Sequence, residues 1–264
     1  MATTKKPIAR ATKKSATAKK PAVKKIAAKK LAEKKPAVKK VAAKKPAVKK
    51  VAVKKPAVKK VVAKNKEHLE KLIGEAIKKY GVNCDLNFID VSKVTDMANI
   101  FEYSEFNGDI SKWNVSKVTN MSGMFGARSL FNGDVSKWNV SNVTDMNCMF
   151  QESPFNGDIS KWNVSKVTNM GCMFQGSPFN GDISKWDVSN VTNMVGMFLN
   201  SQFNGDISQW NVSKVTDMRL MFKESWFNGD ISKWSVSDEA DMDSIFDDSQ
   251  LKKEGKLPKW FKKK

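Results

Sequence analysis

The chain has 264 residues, 47 of them basic and 27 acidic, a formal net charge of +20, one histidine and three cysteines. So few histidines and cysteines rule out a disulfide framework or a zinc cluster. No apolar run reaches the roughly 18 residues that a membrane-spanning helix needs.

The charge is unevenly placed. Residues 1–64 hold 24 of the 47 basic residues and one acid, Glu33, a net charge of +23, and contain no aromatic residue. Residues 65–264 carry −3 and hold all eight Trp and all fifteen Phe. The chain opens without an apolar run, so no secretory signal is expected, and the expected location is intracellular (nucleus or cytoplasm, including that of an infected host) or a virion, rather than a cell surface.

Within residues 1–64 a Lys-Lys pair recurs every five residues: Lys19 and Lys20, Lys24 and Lys25, Lys29 and Lys30, Lys34 and Lys35, Lys39 and Lys40, Lys44 and Lys45, Lys49 and Lys50, Lys54 and Lys55, Lys59 and Lys60. A period of five builds neither a helical nor a strand face. Pro21, Pro36, Pro46 and Pro56 interrupt helical bonding. With little apolar surface to offset ordering entropy, a disordered, extended arm is expected. These lysines are the candidate nucleic-acid-binding residues, acting on phosphates without base readout. Ten engaged lysines would give a slope of log K against log salt of about −9. A spacer, or an arm for acidic protein or anionic membrane, is the alternative.

Residues 65–81 change character. Leu69, Leu72, Ile73, Ala76, Ile77 and Tyr80 share one helical face. Asn65 is the expected N-cap and Gly81 the residue that ends the helix. This amphipathic helix is expected to cap the open end of a repeat array, with a dimerisation helix as the alternative. His68 has no partner at metal or catalytic spacing.

Residues 82–250 repeat almost verbatim. Trp113, Trp138, Trp162, Trp186, Trp210 and Trp234 recur at 24 residues, once at 25. A degenerate first copy begins at Val82 with Ile89 in the tryptophan slot, giving seven copies. A fixed period of this length marks a stack of units, none of which closes a core alone. The expected fold is an α/β solenoid, leucine-rich-repeat-like, with one short parallel strand and one short helix per 24-residue copy. In the copy opened by Phe106, Asn107, Gly108 and Asp109, the strand falls at residues 112–116 and the helical turn at Met121, Met124 and Phe125, with Thr119 as its N-cap. In the last copy Glu239 takes an inner valine slot and Ala240 the threonine slot. Residues 251–264 are read as a C-terminal cap, with Leu257, Pro258, Trp260 and Phe261 covering the far end, and a basic tip at 262–264.

The repeated unit running from Phe106 through Trp113 and Val118 to Phe125 resembles the BspA-like bacterial surface-protein repeat family, the mycoplasma-lipoprotein type of leucine-rich repeat. The segments around Leu72 to Ile77 and Leu257 to Phe261 are similar to the ends of copies encoded by large DNA viruses. The Lys/Ala/Pro arm resembles linker-histone tails. This resemblance implies protein–protein contact and no catalytic residues.

Lys112, Asn114 and Ser116, with their counterparts in later copies, are expected to form a monotonous polar ladder on a concave face. Variation gathers instead in the loop after each Met-Phe pair. There Tyr103, Arg128 and Trp226 are the candidate protein-binding residues, being types that dominate interfaces. Asp109, Asp134, Asp158, Asp182, Asp206 and Asp230 form a row read as turn caps, with bridging calcium as the alternative. Cys148 and Cys172 occupy one slot in adjacent copies and are expected as small buried residues, close enough to pair but with no structural disulfide expected in a reducing compartment. Asn-Val-Ser triplets are by-products of the repeat. No catalytic triad, thiol–imidazole pair or phosphate-binding loop is present, so no enzyme, cofactor, metal or small-molecule substrate is expected. The partners expected are nucleic acid through the arm and an unknown protein through the repeats.

Overall fold

A computed structural model describes residues 59–261. They belong to one compact unit, residues 54–264. Its regular elements in chain order are β1 (Val61–Val62), α1 (Lys66–Tyr80), β2 (Ile89–Asp90) and α2 (Gln250–Lys253). The strands are parallel, with Val61 opposite Ile89 and Val62 opposite Asp90.

Residues 91–249 contain neither a helix nor an extended strand. Each copy is instead a succession of tight turns capped by short polar side chains. Asp109 Oδ1 accepts the Ser111 N–H at 2.9 Å and the Ser111 hydroxyl at 2.7 Å. Asn114 Oδ1 accepts the Ser116 N–H at 3.2 Å, and Asn120 Oδ1 the Ser122 N–H at 2.9 Å. Buried Ser129 Oγ accepts the Phe131 N–H at 3.5 Å. Between caps, the Trp113 N–H closes on Ile110 O at 3.0 Å and the Val118 N–H on Val115 O at 2.9 Å. Asx and serine side chains satisfy the backbone locally, which favours turns over longer elements. Ile110, Trp113, Val115, Val118, Met121, Met124 and Phe125 all point inward and are buried.

Two expectations are corrected here. Residues 112–116 turn rather than extend. The parallel pairing lies further on, through Asp96, Asn120, Asp145, Asn169, Asn193, Asp217 and Asp241, one residue per copy. The stretch from Met121 to Phe125 is not helical, although its i, i+3, i+4 spacing mimics a helix face. Its N–H groups reach the next copy: Met121 to Asp145 O at 2.9 Å, Gly123 to Asn147 O at 2.7 Å and Phe125 to Met149 O at 2.9 Å. The residue in its middle is left-handed in every copy, at Asn99, Gly123, Cys148, Cys172, Gly196, Leu220 and Ser244. A left-handed residue cannot continue an α-helix. Helix therefore appears only outside the copies, and the fold is a repeat fold of stacked turns and short parallel pairings.

The stack is held by side-chain ladders. Each indole N–H donates to a carbonyl of the copy before: Trp113 to Leu86 O at 3.1 Å, Trp138 to Ile110 O at 3.2 Å, Trp162 to Val135 O at 3.1 Å, and so on through Trp234 to Ile207 O at 3.0 Å. Phe125, Phe150, Phe174, Phe198, Phe222 and Phe246 stack at 5.7–6.0 Å between ring centres. Phe131, Phe155, Phe179, Phe203 and Phe227 form a second column beside them. Asn132, Asn156, Asn180, Asn204 and Asn228 each donate a backbone N–H to the asparagine side chain of the preceding copy at 2.8–3.1 Å.

At the start of the stack, α1 begins at Asn65, whose Oδ1 accepts the His68 N–H at 3.0 Å, and ends at Gly81 with φ 83°. Leu69, Ile73 and Ala76 are buried in the same core as Leu86 and Ile89. Tyr80 is half-exposed, its ring meeting Phe88 edge-on. The basic segment also ends sooner than expected. The Val61 N–H donates to Phe88 O at 3.0 Å, the Ala63 N–H to Asp90 O at 2.9 Å, and Ala63 is fully buried. Residues 61–63 thus form one more rung, and the boundary at 64 moves toward the N-terminus.

At the far end, Glu239 stays exposed and Ala240 turns into the core in its place, with the closing hydrogen bond shifted to Ala240 N–H and Ser237 O. Leu251 of α2 is buried. Trp260 then continues the tryptophan ladder, its indole 6.3 Å from Trp234 and its N–H donating to Ile231 O at 2.8 Å. Glu254 accepts from Lys256, Gln250 and Asn228, which hold its carboxyl down at about 2.

Candidate interaction surfaces

The stack turns each slot of the repeat into a column of side chains, so the candidate surfaces are columns. In the segment after each Met-Phe pair a second left-handed position recurs, at Tyr103, Arg128, Glu152, Gly176, Asn200, Glu224 and Asp248. Its backbone bonds across copies, as in Glu152 N–H to Gln175 O at 2.8 Å and Asn200 N–H to Lys223 O at 2.9 Å. From Glu152 to Glu224 these segments are regular rungs that differ in their outward side chains, whereas the copy holding Arg128 carries one extra residue, with Ala127 also left-handed.

Tyr103 is 73 % exposed and shares that column with Arg128 one copy further on. The Arg128 guanidinium reaches Glu152 at 3.2 Å, an exposed pair of small energetic weight. Trp226 is 67 % exposed but belongs to the neighbouring column, with Leu130, Pro154, Pro178 and Gln202, four copies beyond Arg128. It borders a cleft of about 430 Å3 lined by Asn204, Glu224, Gln250 and Lys253. Tyr103 and Arg128 thus share one column in successive copies, and Trp226 stands in another. Leu130, 52 % exposed beside this edge, was missed in the sequence, where it reads as part of an inserted loop.

Of the candidate nucleic-acid lysines, Lys59 and Lys60 are exposed where the chain enters β1. The pairs from Lys19 to Lys55 lie outside the described residues, as does the basic tip 262–264. On the repeats, the exposed lysine column at Lys112, Lys137, Lys161, Lys185 and Lys233 runs beside the aspartate column. Asp134, Asp158, Asp182, Asp206 and Asp230 all sit below the ordinary carboxylate range. Hydrogen bonds from the serine two residues on are the main cause, and a nearby lysine adds to it. Rows of opposite charge lie side by side, so the lysine charge on this face is partly offset by the carboxylates. Each of these carboxylates is a turn cap, as read from the sequence. Among the described residues no three His, Cys, Asp or Glu side chains come together to hold a metal ion.

Cys148 and Cys172 are half-buried rather than buried, at neighbouring left-handed positions. No helix among the described residues is long and apolar enough to cross a membrane.

Two overlapping stretches, residues 68–178 and 153–260, match the family described as mycoplasma protein of unknown function, DUF285. The chain belongs to this family. The DUF285 matches run from within α1 to Trp260, so most of α1 and the far end of the stack lie within the family's pattern, while β1 and the basic segment lie outside it. Neither a curated protein nor a solved structure matches the chain.

Proposed function

We propose that this DUF285 protein is a non-catalytic adaptor, whose basic segment binds nucleic acid without sequence preference and whose repeats hold a protein partner. The observation that carries the reading is the division of charge: +23 in residues 1–64 against −3 in the remainder. Neighbouring Lys and Asp columns partly offset each other on the repeats, which leaves the segment as the one strong source of polyanion affinity. Lysines there release counterions from phosphates, so binding weakens steeply with salt. The partner surface is the variable edge, with Trp226 at its cleft as the leading anchor and Tyr103 with Arg128 as a second contact.

The test compares DNA retention by the full chain and by a chain starting at residue 59, across a salt series. The full chain should bind with a slope near −9 if about ten lysines engage, and the shortened chain should not bind. Equal binding by both would move the site onto the repeats. No binding by the full chain at physiological salt overturns the nucleic-acid reading, and the segment then serves as a spacer for a protein-contact scaffold.

A further inference from the structure

Cys148 and Cys172 fill one slot in adjacent copies, and the backbone has φ 53° at both. Hydrogen bonds between the copies run through the pair, Cys148 N–H to Gly171 O at 2.8 Å and Phe150 N–H to Met173 O at 3.0 Å. The two residues therefore face each other at the strand spacing of about 4.8 Å. That spacing falls inside the roughly 4.4–6.8 Å between α-carbons that a disulfide bridges.

Side chains in this column lean toward the following copy. Asn99 Oδ1 fills the space that a β-carbon on Gly123 would take, and Cys172 Sγ lies 3.3 Å from the place where Gly196 would carry one. The same lean turns the Cys148 side chain toward Cys172, whose thiol donates to Val195 O at 3.6 Å. Asn147 Nδ2 donates to Cys148 Sγ at 3.2 Å. Both residues are half-buried, so a small reagent can reach them, whereas the third cysteine, Cys84, is buried in a different slot. Gly196 leaves the space above Cys172 open for its side chain to rotate.

We propose that Cys148 and Cys172 form a reactive dithiol, which a low-molecular-weight disulfide such as oxidised glutathione converts into a disulfide joining two neighbouring copies. The Cys172 thiolate attacks one sulfur of the glutathione disulfide, forming a mixed disulfide and expelling one glutathione thiolate. Cys148 loses its proton to solvent, attacks Cys172 Sγ and expels the second. Two electrons pass from the cysteines to the oxidant, and the two protons end on the two glutathione thiols. The contact between the two side chains lowers the Cys172 thiol, and the same contact, with burial, raises Cys148, so Cys172 attacks first.

The full-length protein is incubated with oxidised glutathione under native, mildly alkaline conditions. Two of its three free thiols should disappear. Trypsin should then release fragments 138–161 and 167–185 as one species that dithiothreitol separates. Cys148→Ser should trap glutathione on Cys172, while Cys172→Ser should take up glutathione several-fold more slowly. Ser244 occupies the same slot in the last copy, so serine fits the fold. Glutathione adducts on both cysteines without a cross-link would overturn the proposal. So would thiols that stay free in the native protein yet react once it is unfolded.

Discussion

At the scale of the residue, tryptophan rather than phenylalanine is the informative choice. Both rings would stack, but only the indole carries an N–H to the carbonyl of the preceding copy. Trp186 donates to Ile159 O at 3.2 Å in a buried setting. Trp186→Phe keeps an aromatic ring and leaves that carbonyl without its donor, so the chain should lose about 1–3 kcal/mol. A urea midpoint that does not move would mean the carbonyl finds another donor. The aspartates supply a second residue-scale test. Their folded-state carboxyls titrate below the ordinary range, so the stability they add is present at neutral pH and is lost as pH falls through their folded values. Unfolding midpoints should therefore fall below about pH 4. Replacing Asp158, Asp182 and Asp206 together by Asn keeps an acceptor oxygen at each turn and should flatten that acid limb. An unchanged limb would place the acid sensitivity elsewhere.

At the scale of the element, the misreading inside each copy has a physical cause. Ile110, Trp113, Val115 and Val118 alternate spacings of three and two, which suits a strand with flanking loops as well as it suits consecutive turns. Met121, Met124 and Phe125 carry helical spacing, and nothing in their apolar pattern reports the direction of the backbone hydrogen bonds. The available signal was the residue between them: Asn99, Gly123 and Gly196 occupy one slot and are the types that tolerate left-handed backbone. The α1 face was legible because fifteen residues carry a full helical period with caps at both ends. In the sequence Trp260 has the place of a cover and not of a rung, because it stands 26 residues beyond Trp234, off the period. Its place in the ladder makes the terminal segment structural. Trp260→Ala should remove the last stacked indole and the donor to Ile231 O, costing about 2–3 kcal/mol. Hydrogen exchange should locate the loss in residues 228–261, and an even loss along the stack would argue against a local cap.

At the scale of the whole molecule, neither end of the stack is finished by the copies themselves. Seven residues from Asp96 to Asp241 form six parallel bridges between successive copies, and each copy presents an edge that the next one covers. The final edges are covered by non-repeating pieces, Val61 to Ala63 with α1 at one end and α2 with Trp260 at the other. The covering strand is cut from the last unit of the Lys-Lys series, where Val61, Val62 and Ala63 follow Lys59 and Lys60 with no proline between them. Charge and period alone gave the eye no reason to separate that unit from its predecessors, and its partner, Ile89, is distant in sequence. The consequence is a sharp dependence on where the basic segment is cut. A chain beginning at residue 59 keeps β1 and should unfold at the same urea concentration as the full chain. A chain beginning at residue 65 loses the β1–β2 pairing and the buried Ala63, and should be less stable by about 2 kcal/mol. Equal midpoints for the two shortened chains would show that β1 adds no stability, and α1 alone would then be the cap.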